Sequence, residues 1–431
     1  MRANPLMPSC LAFCLSVRGL HPRPEGRRPP GLTLALALLM TLAGVTAAMP
    51  TNAADLSSLE RLGEQLFHDA SLSNPPGVAC ASCHNPAQAF QGNNGSAVPA
   101  LARGAPHGAL GRRNTPSLMY ASFTPPFSFV AERDEATGKT EHIPVGGQFL
   151  DGRAGELVEQ FAMPLLDPHE MNAGSKDAVV AAVRKGSYAG LVREVYGDAV
   201  FDDPAQAFVK LAQATAAFEG SARFHPFASR FDDYLRGTAA LSEQEARGFE
   251  LFKDPEKGNC LACHVGKVDS RTPADWLFTD YTYDALGGPK NPQIVARPGE
   301  EARADLGLCE QAGLAARAPA GVDPATFCGA FKVPSLRNVA VTGPWLHNGA
   351  LTKLRDVVAF YATRDVDPAR WYPVTAGGMQ KFDDLPAAYQ ANVNTTEIPY
   401  DRRLGQTARL DEDEIDAITA FLETLTDRAA P

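Results

Sequence analysis

Cys80-Ala-Ser-Cys83-His84 and, much further along, Cys260-Leu-Ala-Cys263-His264 are the two stretches that decide how this chain folds. In a CxxCH turn the two thiols add to the vinyl groups of a haem and the adjacent histidine turns back to ligate the iron. The spacing is therefore set by the porphyrin. The competing reading is zinc held by CxxC pairs. It is the weaker one, because each pair is followed at once by histidine, and one chain carrying two such coincidences is rarer still. Two covalently bound haem c groups are expected, one on Cys80, Cys83 and His84 and one on Cys260, Cys263 and His264, with His84 and His264 as proximal iron ligands.

Working outward, the segment before each motif is duplicated. LSSLERLGEQLFHD (Leu56 to Asp69) and LSEQEARGFELFKD (Leu241 to Asp254) share Gly63/Gly248, Leu66/Leu251, Phe67/Phe252 and Asp69/Asp254. Each reads as a short amphipathic helix. Leu59, Leu62 and Leu66 fall on one face, and Ser242 with Glu245 forms a capping box. Further helices are expected over 176–185, 204–220 and 411–425, the last with Ile415, Ile418, Phe421 or Leu422, and Leu425 at helical spacing behind an acidic first turn. The remainder is rich in proline and glycine and shows no run of alternating strands. The fold class expected is mostly α, with two cytochrome c-like haem domains and long loops: residues 55–240 around the first motif and 241–431 around the second.

The first 54 residues read as a signal peptide and leader. Arg23, Arg27 and Arg28 precede an apolar run from Gly31 to Ala48 that ends in small residues, with cleavage after Ala48 or Ala54. A retained anchor is the alternative, since the run is near the lower length limit for a spanning helix. Periplasmic localisation by a cleaved signal peptide is expected. Of the eight cysteines, Cys10 and Cys14 lie in the leader and four serve the CxxCH pair. Cys309 and Cys328 remain, a disulfide in an oxidising compartment or else two buried thiols. The formal charge of −10 comes without a long like-charged block. No nucleic-acid footprint is visible.

Two further stretches, QFLDGRAGELVEQFAMPLLDPHEM (Gln148 to Met171) and FKVPSLRNVAVTGPWLHNGALTKLRDVVAFY (Phe331 to Tyr361), together with the ordered CxxCH pair, resemble the bacterial di-haem cytochrome c peroxidases and the related MauG-type enzymes, over about residues 55 to 428. The resemblance implies that the first haem is the peroxide site, with Gln160 and Glu170 on its distal side. Splitting an O–O bond requires a group that carries a proton from the near to the far oxygen, and a carboxylate does this. Glu170 is that acid and base, and Gln160 orients the peroxide. Family peroxidases commonly cap the first iron with a displaceable histidine. His107, near that place, is either that ligand or an ordinary loop histidine.

The second haem is implied to be the electron-transfer centre. Its sixth ligand, counted fourteen residues on from His347, is Tyr361, where the peroxidases place methionine and MauG-type enzymes tyrosine; Met379 is the fallback. An anionic oxygen ligand favours the higher oxidation states of iron. A calcium between the haems is implied on Asn114 and on the carbonyls of Thr342 and Pro344, oxygen donors that suit that ion. One departure stands out. The family motif FWDGRA, whose tryptophan relays electrons between the haems, reads FLDGRA here, with Leu150 in its place. Direct tunnelling or Trp345 would have to substitute, or the coupling is weak.

The implied function is a di-haem oxidoreductase that reduces hydrogen peroxide with electrons from a small cytochrome c or cupredoxin. The alternative is a MauG-type maturation enzyme that oxidises tryptophan or tyrosine of a protein substrate, and a third reading is an electron carrier without catalysis. A homodimer is compatible with the resemblance.

Overall fold

Leu62, Leu66 and Phe67 fall on one face of the first duplicated helix and are all buried, in a computed structural model that describes residues 56–133, 138–294 and 304–428. The signal peptide and leader read from residues 1–54 lie outside the described residues. The helices that position the site are α1 (Ser58–His68), α2 (Leu157–Gln160), α3 (Ala162–Leu166), α4 (Lys176–Lys185), α5 (Pro204–Glu219), α6 (Glu243–Lys253), α7 (Leu354–Thr363) and α8 (Glu412–Glu423). The capping box foreseen at Ser242 and Glu245 is formed, and Ser57 with Glu60 forms its twin at the start of α1. Asp411 and Glu414 cap α8 in the same way.

The glycine shared by the two copies has a packing reason. A Cβ on Gly63 would stand 2.1 Å from the Ala214 carbonyl oxygen, and one on Gly248 would stand 1.9 Å from that of Ala417. Helix α1 thus crosses α5, and α6 crosses α8, at a separation that only glycine allows. Each crossing has its own apolar cluster: Leu62, Leu66, Val180, Phe208 and Leu211 in one, and Phe231, Phe249, Phe252, Trp276 and Phe421 in the other. Burial of these rings and aliphatic chains is the main stabilising term of each half.

The duplication runs further than the sequence revealed. Thr115-Pro116-Ser117-Leu118 matches Val333-Pro334-Ser335-Leu336. Ser117 Oγ donates to the Ala89 carbonyl at 2.5 Å and Ser335 Oγ to the Leu277 carbonyl at 2.6 Å. The residues next in chain to those carbonyls, Phe90 and Phe278, have φ of 55° and 56°. A third match joins Gln148–Ala154 to Trp345–Leu351. Both pairs form isolated bridges, and Phe149/Leu346 and Gly152/Gly349 share positive φ values. Each bridge leads into a helix of the same extent, unbroken in α7 and divided into α2 and α3. Pro164 explains the division, because its ring cannot lie against the carbonyl four residues earlier, that of Gln160.

Strands were not expected, yet among the described residues four two-stranded antiparallel ribbons occur: β1 (Leu101–Arg103) with β2 (Leu110–Asn114), β3 (Ser128–Arg133) with β4 (Thr140–Val145), β5 (Tyr283–Asp284) with β6 (Phe331–Lys332), and β7 (Val374–Thr375) with β8 (Gly378–Met379). They are short or mostly exposed, so the alternation of buried and exposed residues that marks a strand is missing. Cys309 and Cys328 are bonded, with Cα atoms 4.9 Å apart. No helix among the described residues is long and apolar enough to cross a membrane.

Candidate di-haem centre

The two halves enclose a cavity of about 840 Å³ lined by Cys80, Cys83, His84, Cys260, Cys263 and His264. Both histidines are presented alike. His84 Nδ1 lies 2.9 Å from the Phe90 carbonyl and His264 Nδ1 lies 3.0 Å from that of Phe278. A neutral imidazole donates Nδ1–H to such a carbonyl and leaves the Nε2 lone pair free for a metal. Burial lowers both imidazoles below their ordinary range, His264 to about 4. They are therefore neutral at pH 7, the form that ligates iron.

The four CxxCH cysteines form no disulfide, and burial raises the thiols of Cys80, Cys83 and Cys260, the last two up to about 12. Such thiols are poor redox pairs. Among the described residues no three His, Cys, Asp or Glu side chains gather in a group that could hold a metal ion. Apolar walls, paired cysteines and a neutral histidine with a free Nε2, twice over, fit haem c.

The cavity gathers most of the sequence-predicted groups and leaves out two. Gln160 and Glu170 both line it, half-buried. The charge of Glu170 helps to raise the Cys83 thiol, which places this carboxylate toward the first motif. The β1–β2 turn fixes its backbone, since Ala105 N–H donates to the Glu170 carbonyl at 2.7 Å. On that same turn His107 is exposed and does not line the cavity, the placement of an ordinary loop histidine, which was one of its two readings. The physical reason is that Gly104 packs against the His169 carbonyl, with the tip of the turn facing solvent.

At the second motif Tyr361 lines the cavity, 5.7 Å ring to ring from Tyr400, whereas Met379 is exposed on β8 and does not reach it. Burial, and then the carboxylate of Asp284, push the Tyr361 phenol well above its ordinary range. Deprotonation there needs the charge of a bound metal. In the matched helices the residue that corresponds to Tyr361 is Pro164, which has no side-chain donor. The two CxxCH sites thus differ at this position.

Asn114 and Pro344, two of the implied calcium groups, are brought together, with the Asn114 side-chain amide 2.5 Å from the Pro344 carbonyl oxygen. Thr342 lines the same cavity. Leu150 faces it too, and its carbonyl accepts the Lys332 N–H at 2.8 Å. Trp345 is a packed residue whose indole N–H is satisfied by the Val339 carbonyl at 2.9 Å. Sequence reading missed Glu219, the buried last residue of α5, whose carboxyl burial pushes up to about 8 and whose charge acts on Cys80. Its one signal is an acid inside the apolar run ATAAFEG.

Paired CxxCH turns on a shared cavity define a di-haem c-type oxidoreductase. Residues 57–240 match the di-haem cytochrome c peroxidase family. The methylamine utilization protein MauG of Paracoccus denitrificans is 38% identical over 401 residues, 91% of this chain and 94% of that protein. Cytochrome c551 peroxidase of Nitrosomonas europaea is 27% identical over 336 residues, 76% and 81% of the two chains. Among solved structures, the diheme peroxidase BthA of Burkholderia thailandensis superposes with a TM-score of 0.78 at 38% identity, covering 86% of each chain. The chain belongs to the di-haem cytochrome c peroxidase family, which takes in the MauG proteins, and is an oxidoreductase of that type.

Proposed function

We propose that this protein is an exported, periplasmic oxidoreductase that reduces hydrogen peroxide at the haem held by Cys80, Cys83 and His84. Electrons enter through the haem held by Cys260, Cys263 and His264, from a small cytochrome c or cupredoxin. The observation that carries this division of labour is the matched pair Pro164 and Tyr361: one distal side offers no ligand from that helix, the other a phenol oxygen. Bound haem c supplies the electron-transfer and peroxide chemistry.

The protein's own part is proton handling and orientation. A Glu170 carboxylate oxygen takes the proton from the near peroxide oxygen and returns it to the far one as water leaves. The Gln160 side-chain amide hydrogen-bonds the peroxide and holds it in line for that transfer. A calcium on Asn114, Thr342 and Pro344 ties the halves together, and the chain divides into its two haem domains near residue 240.

Steady-state turnover of peroxide with a reduced small cytochrome c tests this reading. Turnover is expected, and Glu170→Gln should lower kcat/KM by about 10²–10⁴-fold. If no small redox protein supports turnover, the reading fails. Tyr361 favours a second reading, a maturation enzyme that oxidises tryptophan or tyrosine of a partner protein. Under it, peroxide added without donor leaves oxidising equivalents stored in the protein for minutes, and Tyr361→Met abolishes that storage.

A further inference from the structure

Lys332 is a cation in the wall of the cavity whose charge no carboxylate among the described residues answers. It is half-buried on β6 and lines the cavity, and its Nζ donates to the Gly147 carbonyl at 2.5 Å. Among the described residues no carboxylate lies within ion-pair reach of that nitrogen. The acids nearby are already engaged. Asp151 is shared by Arg113 at 2.5 Å and Arg153 at 3.0 Å, and Asp305 takes Arg113 at 2.6 Å. Burial pulls the ammonium down to about 7, with Asp151 opposing the shift. An ammonium withdrawn from water without a counter-ion is costly, so such a group either loses its proton or finds an anion.

The position is also structurally marked. In the duplicated pattern Lys332 corresponds to Asn114, and both reach across to the other half in the same way. The Asn114 N–H donates to the His347 carbonyl and the Lys332 N–H to the Leu150 carbonyl, each at 2.8 Å. Their side chains then meet the Pro344 and Gly147 carbonyls, which also correspond, each at 2.5 Å. The two sites stand at equivalent crossing points between the halves. At one crossing the side chain is neutral, and at the other it is a cation.

Haem c brings its own anions into this cavity, because each porphyrin carries two propionate carboxylates. We infer that Lys332 is the counter-ion of a haem propionate, the ammonium and the carboxylate forming a charge-assisted hydrogen bond at the boundary between the halves. The inference rests on the reading that both haems occupy this cavity. The pair sets the electrostatic environment of one haem, since a positive charge beside it favours the reduced iron. Lys332 is thus a positioning and tuning residue with no part in proton transfer to peroxide.

The test uses purified holoprotein, wild type beside Lys332→Met and Lys332→Arg, with haem content measured by pyridine haemochrome and both midpoint potentials by spectroelectrochemical titration. The expected result is two haems per chain in all three proteins. In Lys332→Met the potential of one haem falls while the other holds, and Lys332→Arg stays close to wild type. Unchanged potentials in Lys332→Met would overturn the inference. So would an equal shift of both haems in the two variants, which is the outcome a general loosening of the fold would produce. Fewer than two haems in the wild type would overturn the cofactor reading, and this inference with it.

Discussion

At Glu219 a single buried acid has a readable consequence. Its folded pKa is raised from an ordinary 4.5 to about 8 by desolvation, so the folded state holds a proton that the unfolded state releases. For a raised pKa the contribution to stability is intact below the unfolded value and is lost as pH rises toward the folded one. Glu219→Gln should therefore gain on the wild type between pH 4.5 and about 8, by at most about 1.4 kcal/mol per pH unit, and hold a constant difference above that. Denaturant unfolding at pH 5, 7 and 9 measures it, and a difference that is flat across the three contradicts the assignment. Residue-scale chemistry of this kind was only partly visible in the sequence. CxxCH announces itself because covalent geometry fixes its spacing, and Tyr361 could be counted from a motif. Glu219 and Lys332 could not be found, because their significance lies in burial and in the absence of a nearby counter-charge, which no local pattern encodes.

At the scale of elements the duplicated helix is the informative unit. Gly248 is a crossing point, where a Cβ would stand 1.9 Å from the Ala417 carbonyl oxygen. Backbone cannot yield as a flexible side chain does, so Gly248→Ala should destabilise the fold by about 1–3 kcal/mol or more, despite the higher helix propensity of alanine. Thermal unfolding compared with Arg247→Ala, an exposed neighbour on the same helix, separates the crossing from propensity. A stabilised Gly248→Ala would refute the account. The helices were legible from spacing and caps, and α4 and α5 begin at Lys176 and Pro204, where the sequence reading put them. The division of one helix at Gln160 was not, although Pro164 stood in plain view. It takes the matched, unbroken α7 to show what the proline removes. The ribbons escaped because residues such as Val130 lie exposed, leaving no period of two to detect.

At the scale of the molecule, the first half is tied to the C-terminal half by a buried polar network. Arg337 pairs with Asp232 at 2.9 Å, both side chains fully buried, and lies 4.9 Å over the Tyr120 ring. The Tyr120 hydroxyl donates to Asp427 at 2.8 Å. Arg337 holds the Asp232 carboxyl below its ordinary range. Removing one partner strands the other charge, so Arg337→Met should cost about 3–5 kcal/mol in denaturant unfolding. The double change with Asp232→Asn should cost less than the sum of the two, and strict additivity would mean the pair is not coupled. Nothing in the sequence joined Tyr120 to Asp427, since such contacts depend on how the halves are set together.

Under the proposed function two duplicated haem attachments are made unequal in iron ligation by the exchange of Pro164 against Tyr361. Resting-state EPR of the oxidised holoprotein tests this most directly. The account predicts one high-spin ferric haem and one low-spin ferric haem in equal amount, with Tyr361→Met altering only the low-spin signal. Two low-spin haems in the wild type, or a low-spin signal indifferent to Tyr361→Met, would contradict it.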